Sequence, residues 1–353
     1  MLTRLYSFAL RRDTVVQNFG IIGNGRVHVL ELTPTGVAEG IAFDTSDGLY
    51  DVVWSEANEN VLATASGDGS VKVWDVSAPA ATNPVRALHE HTHEVYALAW
   101  NTVRKDAFLS ASWDDTIKLW SLEGPPASLR TFAEHAYCVY DASWNPRHAD
   151  LFASASGDHT VRVWDLREPA STLAIPAHTQ EVLCLDWSKY DDCILATGAV
   201  DSTIKLWDIR RPGAPLTTLM GHGYAVRRVQ CSPFKPGVIA SCSYDMSVRL
   251  WDWQRAAQGG GDPCIARHDH HTEFAVGIDH SCLVEGLMAS CGWDESPPAT
   301  FGAPSLHATT PLPRAPAGCH EVAVLPFPSR LVCIGSVVFL KHQFGCVVRQ
   351  DGA

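Results

Sequence analysis

A histidine, a serine or threonine, an aspartate and a tryptophan recur along this chain in fixed register. His91, Ser110, Asp114 and Trp120 stand at offsets of 0, 19, 23 and 29. The same offsets hold for His135, Ser154, Asp158 and Trp164, for His178, Thr197, Asp201 and Trp207, and for His222, Ser241, Asp245 and Trp251. A hydroxyl, an imidazole and a carboxylate are the equipment of nucleophilic catalysis, in which the imidazole takes the hydroxyl proton and the carboxylate orients the ring. Parallel copies in one chain cannot all be active sites. They read instead as a repeated buried network, in which each indole N–H and each ring nitrogen finds a partner.

The elements that must hold these residues are strands. Between His135 and Ser154 lies an alternating apolar run, Val139, Ala142 and Trp144. A second run covers 152–155 and a third holds Val161 and Val163. Alternation with period two over short stretches means strands. Gly157-Asp158 is a tight-turn signal between the second and third. The tryptophans at 120, 164, 207 and 251 are spaced as the blades of a WD-type propeller are. The fold expected is therefore all-β, a seven-bladed WD40 β-propeller whose first and last blades are incomplete.

Residues 1–17 carry no blade pattern, and the propeller is expected over 18–295. Gly25–Leu30 reads as a third strand, with Leu30 in the Trp slot. In the next blade Thr45 replaces the His, while Thr64, Asp68 and Trp74 keep their offsets, which predicts a normal blade with a looser top. The last blade opens at His271 and keeps Ser290 and Asp294, but Thr300 stands where Trp is due and Pro297 and Pro298 interrupt its third strand. Residues 296–353 are Pro-rich, carry no tetrad residues and read as a disordered tail.

The chain has 353 residues and a net charge of −12, which disfavours nucleic acid or an anionic membrane as the main partner and suits a basic peptide. Its 11 cysteines, an odd number without CxxC spacing, suit a reduced, cytosolic chain. The longest apolar run, Leu331–Leu340, has ten residues, too few to span a bilayer. There is no Gly-rich phosphate loop, no metal-ligand cluster and no nucleophile motif, so neither an enzyme nor a cofactor is expected. His268, Asp269, His270 and His271 are better read as a loop leading into a tetrad than as a metal site.

Several segments go beyond what any propeller requires. They include SWDDTIKLW (112–120), EHAYCVYDASWNP (134–146), KYDDCILATGAVDSTIKLWD (189–208), ASCSYDMSVRLWD (240–252) and HHTEFAVGID (270–279), leading into GWDE (292–295). Over 18–295 the chain resembles the soluble receptors for the type-2 peroxisomal targeting signal. It departs from their pattern before the NFG segment and after GWDE. The resemblance implies a cytosolic receptor shuttling to the peroxisome. Such a receptor binds an N-terminal nonapeptide, a helix with Arg near its start and a His/Gln-Leu pair near its end. It delivers cargo with a co-receptor peroxin (the long form of the type-1 signal receptor or an equivalent) to the peroxisomal docking complex and matrix, without chemistry on the cargo.

One column per blade then selects the residues that face a peptide. First-strand starts and the turn before the tetrad Asp share one face of a propeller. These columns hold Tyr50, Glu94, Tyr96, Trp113, Tyr140, Glu181, Arg227, Tyr244 and Trp293, with Asp47, Asp141 and Glu273 nearby. Aromatics with carboxylates suit a helix that carries an apolar stripe and an Arg. A second class of function is a substrate adaptor of a cullin-RING ubiquitin ligase. Its feature is WD-x-R, present as Trp164–Arg167 and Trp207–Arg210, though Trp-Asp is also simply the repeat.

Overall fold

The computed structural model describes residues 4–5, 7–9, 25–33, 36–269, 271–282, 285–286, 288–293, 329–334 and 337–339. Seven antiparallel or mixed sheets follow one another along the chain, and these we number as blades I–VII. Blade II consists of Leu49–Trp54, Val61–Ser66, Ser70–Asp75 and Arg86–His89. Blades III to VI repeat that four-stranded order, with first strands Val95–Trp100, Val139–Trp144, Val182–Trp187 and Val226–Cys231. In blade VII two strands are described, Ala275–His280 and Met288–Gly292. Its expected Asp294 and the two prolines lie outside the described residues.

Blade I differs from the expectation. Gly25–Thr33 is a strand, but it sits in a six-stranded sheet that draws on both ends of the chain. Ser7–Ala9 pairs with Gly25–Thr33 and with Val337–Phe339, and Ser329–Ile334 also pairs with Gly25–Thr33. Two segments of 296–353, read from sequence as unstructured, thus form strands, and both come from the apolar run around 331–340. The sheet packs between the first strand of blade VII and the first strand of blade II. An unpaired strand edge is a liability in water, and short apolar segments from the far end of the chain satisfy it here.

Why the sequence folds in this way shows in each blade. Second strands such as Leu151–Ser156 are buried on both faces, because one sheet packs on the next around the ring. Small residues alternate there with one large anchor, Phe108 or Phe152, fully buried against the tryptophans. Trp100 stacks on Phe108 with ring centroids 5.0 Å apart. Blades are also stitched to their neighbours. Asp51 accepts from the Leu98 amide at 2.8 Å, Asp141 from Leu185 at 3.1 Å and Asp186 from Cys231 at 2.8 Å. Among the described residues no helix is long and apolar enough to cross a membrane.

The tetrads form as the spacing predicts. In blade IV the Trp164 indole donates to Ser154 Oγ at 2.8 Å, His135 Nε2 meets the same oxygen at 2.7 Å, and His135 Nδ1 lies 2.8 Å from Asp158. Because a carboxylate can only accept, Nδ1 carries the proton, and a neutral imidazole is left to accept from the serine. Blades III, V and VI repeat this, with Nδ1 to carboxylate distances of 2.8, 3.0 and 2.9 Å. In blade VII His271 reaches Ser290 at 3.0 Å.

Blade II shows how the network survives without its histidine. Thr45 turns to the Asp47 carbonyl, and Lys72 takes the vacated side of Asp68 at 2.8 Å. Asp68 also accepts from the Ser70 amide at 2.9 Å. The top of this blade is looser, as expected: the Asp68 side chain is 29% exposed, against 8–12% for the aspartates of blades III to VI. A lysine four residues on is long enough to cover for the ring.

These carboxylates make stability depend on acid. Burial alone would raise their pKa. Hydrogen bonds from the imidazole and from a Thr or Ser two residues on outweigh that, and hold Asp114, Asp158, Asp201 and Asp245 well below the usual carboxylate range. An unfolded aspartate titrates near ~3.9, so the folded state gains from these groups above that pH and loses the gain as pH falls below it. His178 is pushed down by burial against its Asp201 partner, so its contribution begins to fall earlier, below about pH 6.5. Urea midpoints should therefore decline slightly from pH 7 to 5 and steeply below about pH 4. A flat profile down to pH 3 would contradict the network.

Candidate functional site

The face that carries the start of each first strand holds most of the selected residues together. Tyr50 and Tyr96 have ring centroids 5.1 Å apart, and Trp113 stacks on Tyr96 at 5.5 Å. Tyr140 closes the group with its edge to Tyr96 at 5.4 Å and to Trp113 at 6.2 Å. Four aromatic rings from blades II, III and IV thus make one continuous cup. The Tyr140 hydroxyl donates to Glu181 at 2.8 Å, which brings blade V to the same cup. Burial and this bond raise the Tyr140 phenol far above its ordinary value, so it stays a donor. The Trp113 amide donates to the Glu94 carbonyl at 3.0 Å, which places Glu94 beside the indole.

Arg227 is the charged residue of the cup. It is buried, with its guanidinium 4.6 Å from the centre of the Tyr96 ring. Its Nη1 has no hydrogen-bond partner among the described residues, nor does Trp113 Nε1. Below it Arg228 lies 3.7 Å from Asp51. Burial raises the pKa of Asp51 and carries Asp141 to about 6, with Arg228 opposing the rise in both. Asp141 was counted among the acids of the face. It is instead buried and spent on the blade V backbone, because the first strand bulges at this position and turns the side chain inward. Asp47, Glu94, Glu181 and Glu273 are not buried, and Glu181 accepts from Tyr140.

Tyr244 and Trp293 form a second group, joined through Phe274. Phe274 lies 5.0 Å from Tyr244 and 5.4 Å from Trp293. Burial raises the Tyr244 phenol to about 12, with the Arg227 charge opposing the rise. The selected aromatics thus fall into two groups, Tyr50, Tyr96, Trp113 and Tyr140 of blades II–IV, and Tyr244 and Trp293 of blades VI and VII.

Two family models match this chain, the WD domain, G-beta repeat over residues 41–75 and 82–121, and the EIPR1 beta-propeller over 127–251. The chain is 60% identical over 281 residues to Peroxisome biogenesis protein 7 of Arabidopsis thaliana, covering 79% of this chain and 87% of the relative. It is 53% identical over 270 residues to the Peroxisomal targeting signal 2 receptor of Dictyostelium discoideum, covering 76% and 84%. With the human protein of that name it shares 43% over 262 residues, covering 74% and 79%. The chain belongs to the peroxisomal targeting signal 2 receptor family.

As a member of that receptor family the chain uses its propeller as a frame, and the tetrads are frame rather than site. Phe274, which joins Tyr244 and Trp293, was not among the residues selected from the sequence. The signal that would have found it is the aromatic two places before the aligned first-strand position in blade VII. Gly157-Asp158 forms the expected turn; its left-handed residue is His159 (φ 70°), and the Tyr137 ring lies where a Cβ on Gly157 would stand. On the opposite rim, Arg167 and Arg210 of the two WD-x-R motifs each grip the Asp of their own motif through two nitrogens. Asp191, Asp192 and Cys193 cluster there within 4.8 Å, but Asp191 accepts from the Cys193 amide and Asp192 is held by His148 at 2.9 Å. His270 of the loop considered for metal lies outside the described residues.

Proposed function

We propose that this chain binds the type-2 peroxisomal targeting signal of cargo proteins in the aromatic cup. The observation that carries the reading is the contiguous Tyr50–Tyr96–Trp113–Tyr140 surface with Glu94 and Glu181 at its side. The four rings are half-buried against one another, and a cluster of aromatics at a protein surface suits the binding of an apolar helix face. A helix with an apolar stripe covers the rings, and an Arg on the same helix faces a carboxylate. In this reading the chain works in the cytosol, binds a co-receptor peroxin, and shuttles cargo to the docking complex for delivery to the peroxisomal matrix. It acts by binding alone and uses no cofactor.

Family membership and this cup support receptor function over the ligase-adaptor reading, since the paired Asp accounts for each WD-x-R arginine. The test is a titration of purified protein with a fluorescent nonapeptide signal, with and without the co-receptor. Saturable binding that weakens as salt is raised supports the reading, because the Arg–carboxylate contact is screened. No binding under either condition overturns it.

A further inference from the structure

At the second position of each first strand stand Tyr50, Tyr96, Tyr140, Leu183, Arg227 and Val276, so blade VI alone places a charge there. Arg227 is 7% exposed, and its guanidinium rests on the Tyr96 ring of blade III. Its charge also acts on the Tyr244 phenol, so it borders both aromatic groups. The buried acids near it are already spent. Asp51 accepts from the Val52 and Leu98 amides at 3.0 and 2.8 Å, and Asp141 from the Ala142 and Leu185 amides at 2.9 and 3.1 Å. Arg228 stands 3.7 Å from Asp51 and acts on both acids more strongly than Arg227 does. Arg227 Nη1 is left without an acceptor among the described residues. An aromatic face offsets only part of the cost of burying a cation, and a ligand that brings negative charge or an oxygen to it relieves the rest.

A helix brings such oxygens at one end only. Its last four carbonyls have no partner within the helix, and that end carries roughly half a negative charge. The other end of the signal helix carries an Arg, which Arg227 repels. Carboxylates that suit this Arg stand beside Trp113 and Tyr140, on Glu94 and Glu181. Resting on the signal-binding reading above, we propose that Arg227 sets the direction of the signal helix by drawing its C-terminal end towards the axis of the ring. The competing source of an oxygen is a carboxylate of the co-receptor. The helix end is favoured because Tyr96, on which Arg227 rests, is itself stacked on Trp113 in the cup.

The experiment compares two nonapeptide signals that differ only in their last group, a free carboxylate or an amide, each labelled on the same side chain and titrated with the co-receptor present. Wild type should bind the carboxylate form about fivefold tighter at low salt, and the gap should narrow as salt is raised. The net charge of −12 by itself favours the amide form, so a preference for the carboxylate needs a local cation. Arg227→Met and Arg227→Gln, both neutral, should bind the two forms alike. A variant that merely let Tyr96 shift would weaken both forms by the same factor and keep the gap. Equal binding of the two forms by wild type, or a gap kept by either variant once its melting curve shows it folded, overturns the proposal. The wild-type comparison decides even where neither variant folds. Equal binding of the two forms together with weaker co-receptor binding by the variants gives Arg227 to the co-receptor, and also overturns it. Failure of both nonapeptides to bind wild type overturns the signal reading itself.

Discussion

Asp158→Ala should destabilise the propeller by about 2–4 kcal/mol, because several hydrogen bonds to one carboxylate are lost together. Four donors converge on this carboxylate: His135 Nδ1 at 2.8 Å, the Ala136 amide at 3.1 Å, the Thr160 amide at 2.9 Å and the Thr160 hydroxyl at 2.6 Å. Alanine leaves all four without this acceptor, and the buried His135 Nδ1–H, which water reaches least, carries the largest desolvation cost. His135 also loses the partner that fixes its tautomer, so the serine and the indole beyond it lose their order. Urea unfolding at pH 7, followed by tryptophan fluorescence, checks this. A midpoint equal to wild type would remove the network from any structural role. Asp158→Asn is the gentler control, because its amide oxygen still accepts while its NH2 faces donors.

Trp113→Ala should weaken binding of the signal nonapeptide about 100-fold and change stability by less than about 1 kcal/mol. The indole is half-exposed, and its Nε1 has no partner to lose. It stacks on Tyr96 and meets Tyr50 at 6.2 Å and Tyr140 at 6.2 Å, so, like Tyr96, it touches every other member of the cup. Buried aromatic anchors at the centre of an interface carry effects of this size. Glu94→Ala should cost about tenfold at low salt and less as salt is raised, because it removes one charge at the edge of the cup. If both variants bind like wild type at every salt concentration, the cup is not the site.

The repeat itself was legible from residues alone, because its information is local. A tetrad at fixed offsets is a statement about strand lengths and turn lengths along one stretch of chain. Strand alternation and turn residues are set within a few positions of each other, so five blades and four complete tetrads could be read before any fold was known. The columns that supplied Tyr50, Tyr96, Tyr140 and Trp113 were legible for the same reason, since equal positions in equal blades must face the same way.

What the tertiary structure decided are contacts between stretches far apart in the chain. Asp141 leaves the binding face because the blade V backbone offers it an amide across 44 positions. The first blade takes strands from both ends, since only closure of the ring places an open edge beside residues 329–339. That Arg227 of blade VI lies over Tyr96 of blade III follows from the ring bringing non-adjacent blades together at its axis. Sequence sets what each blade is, through short-range sterics and hydrogen bonding. The closure of the ring sets which blades meet, through the burial of surfaces that are distant in the chain.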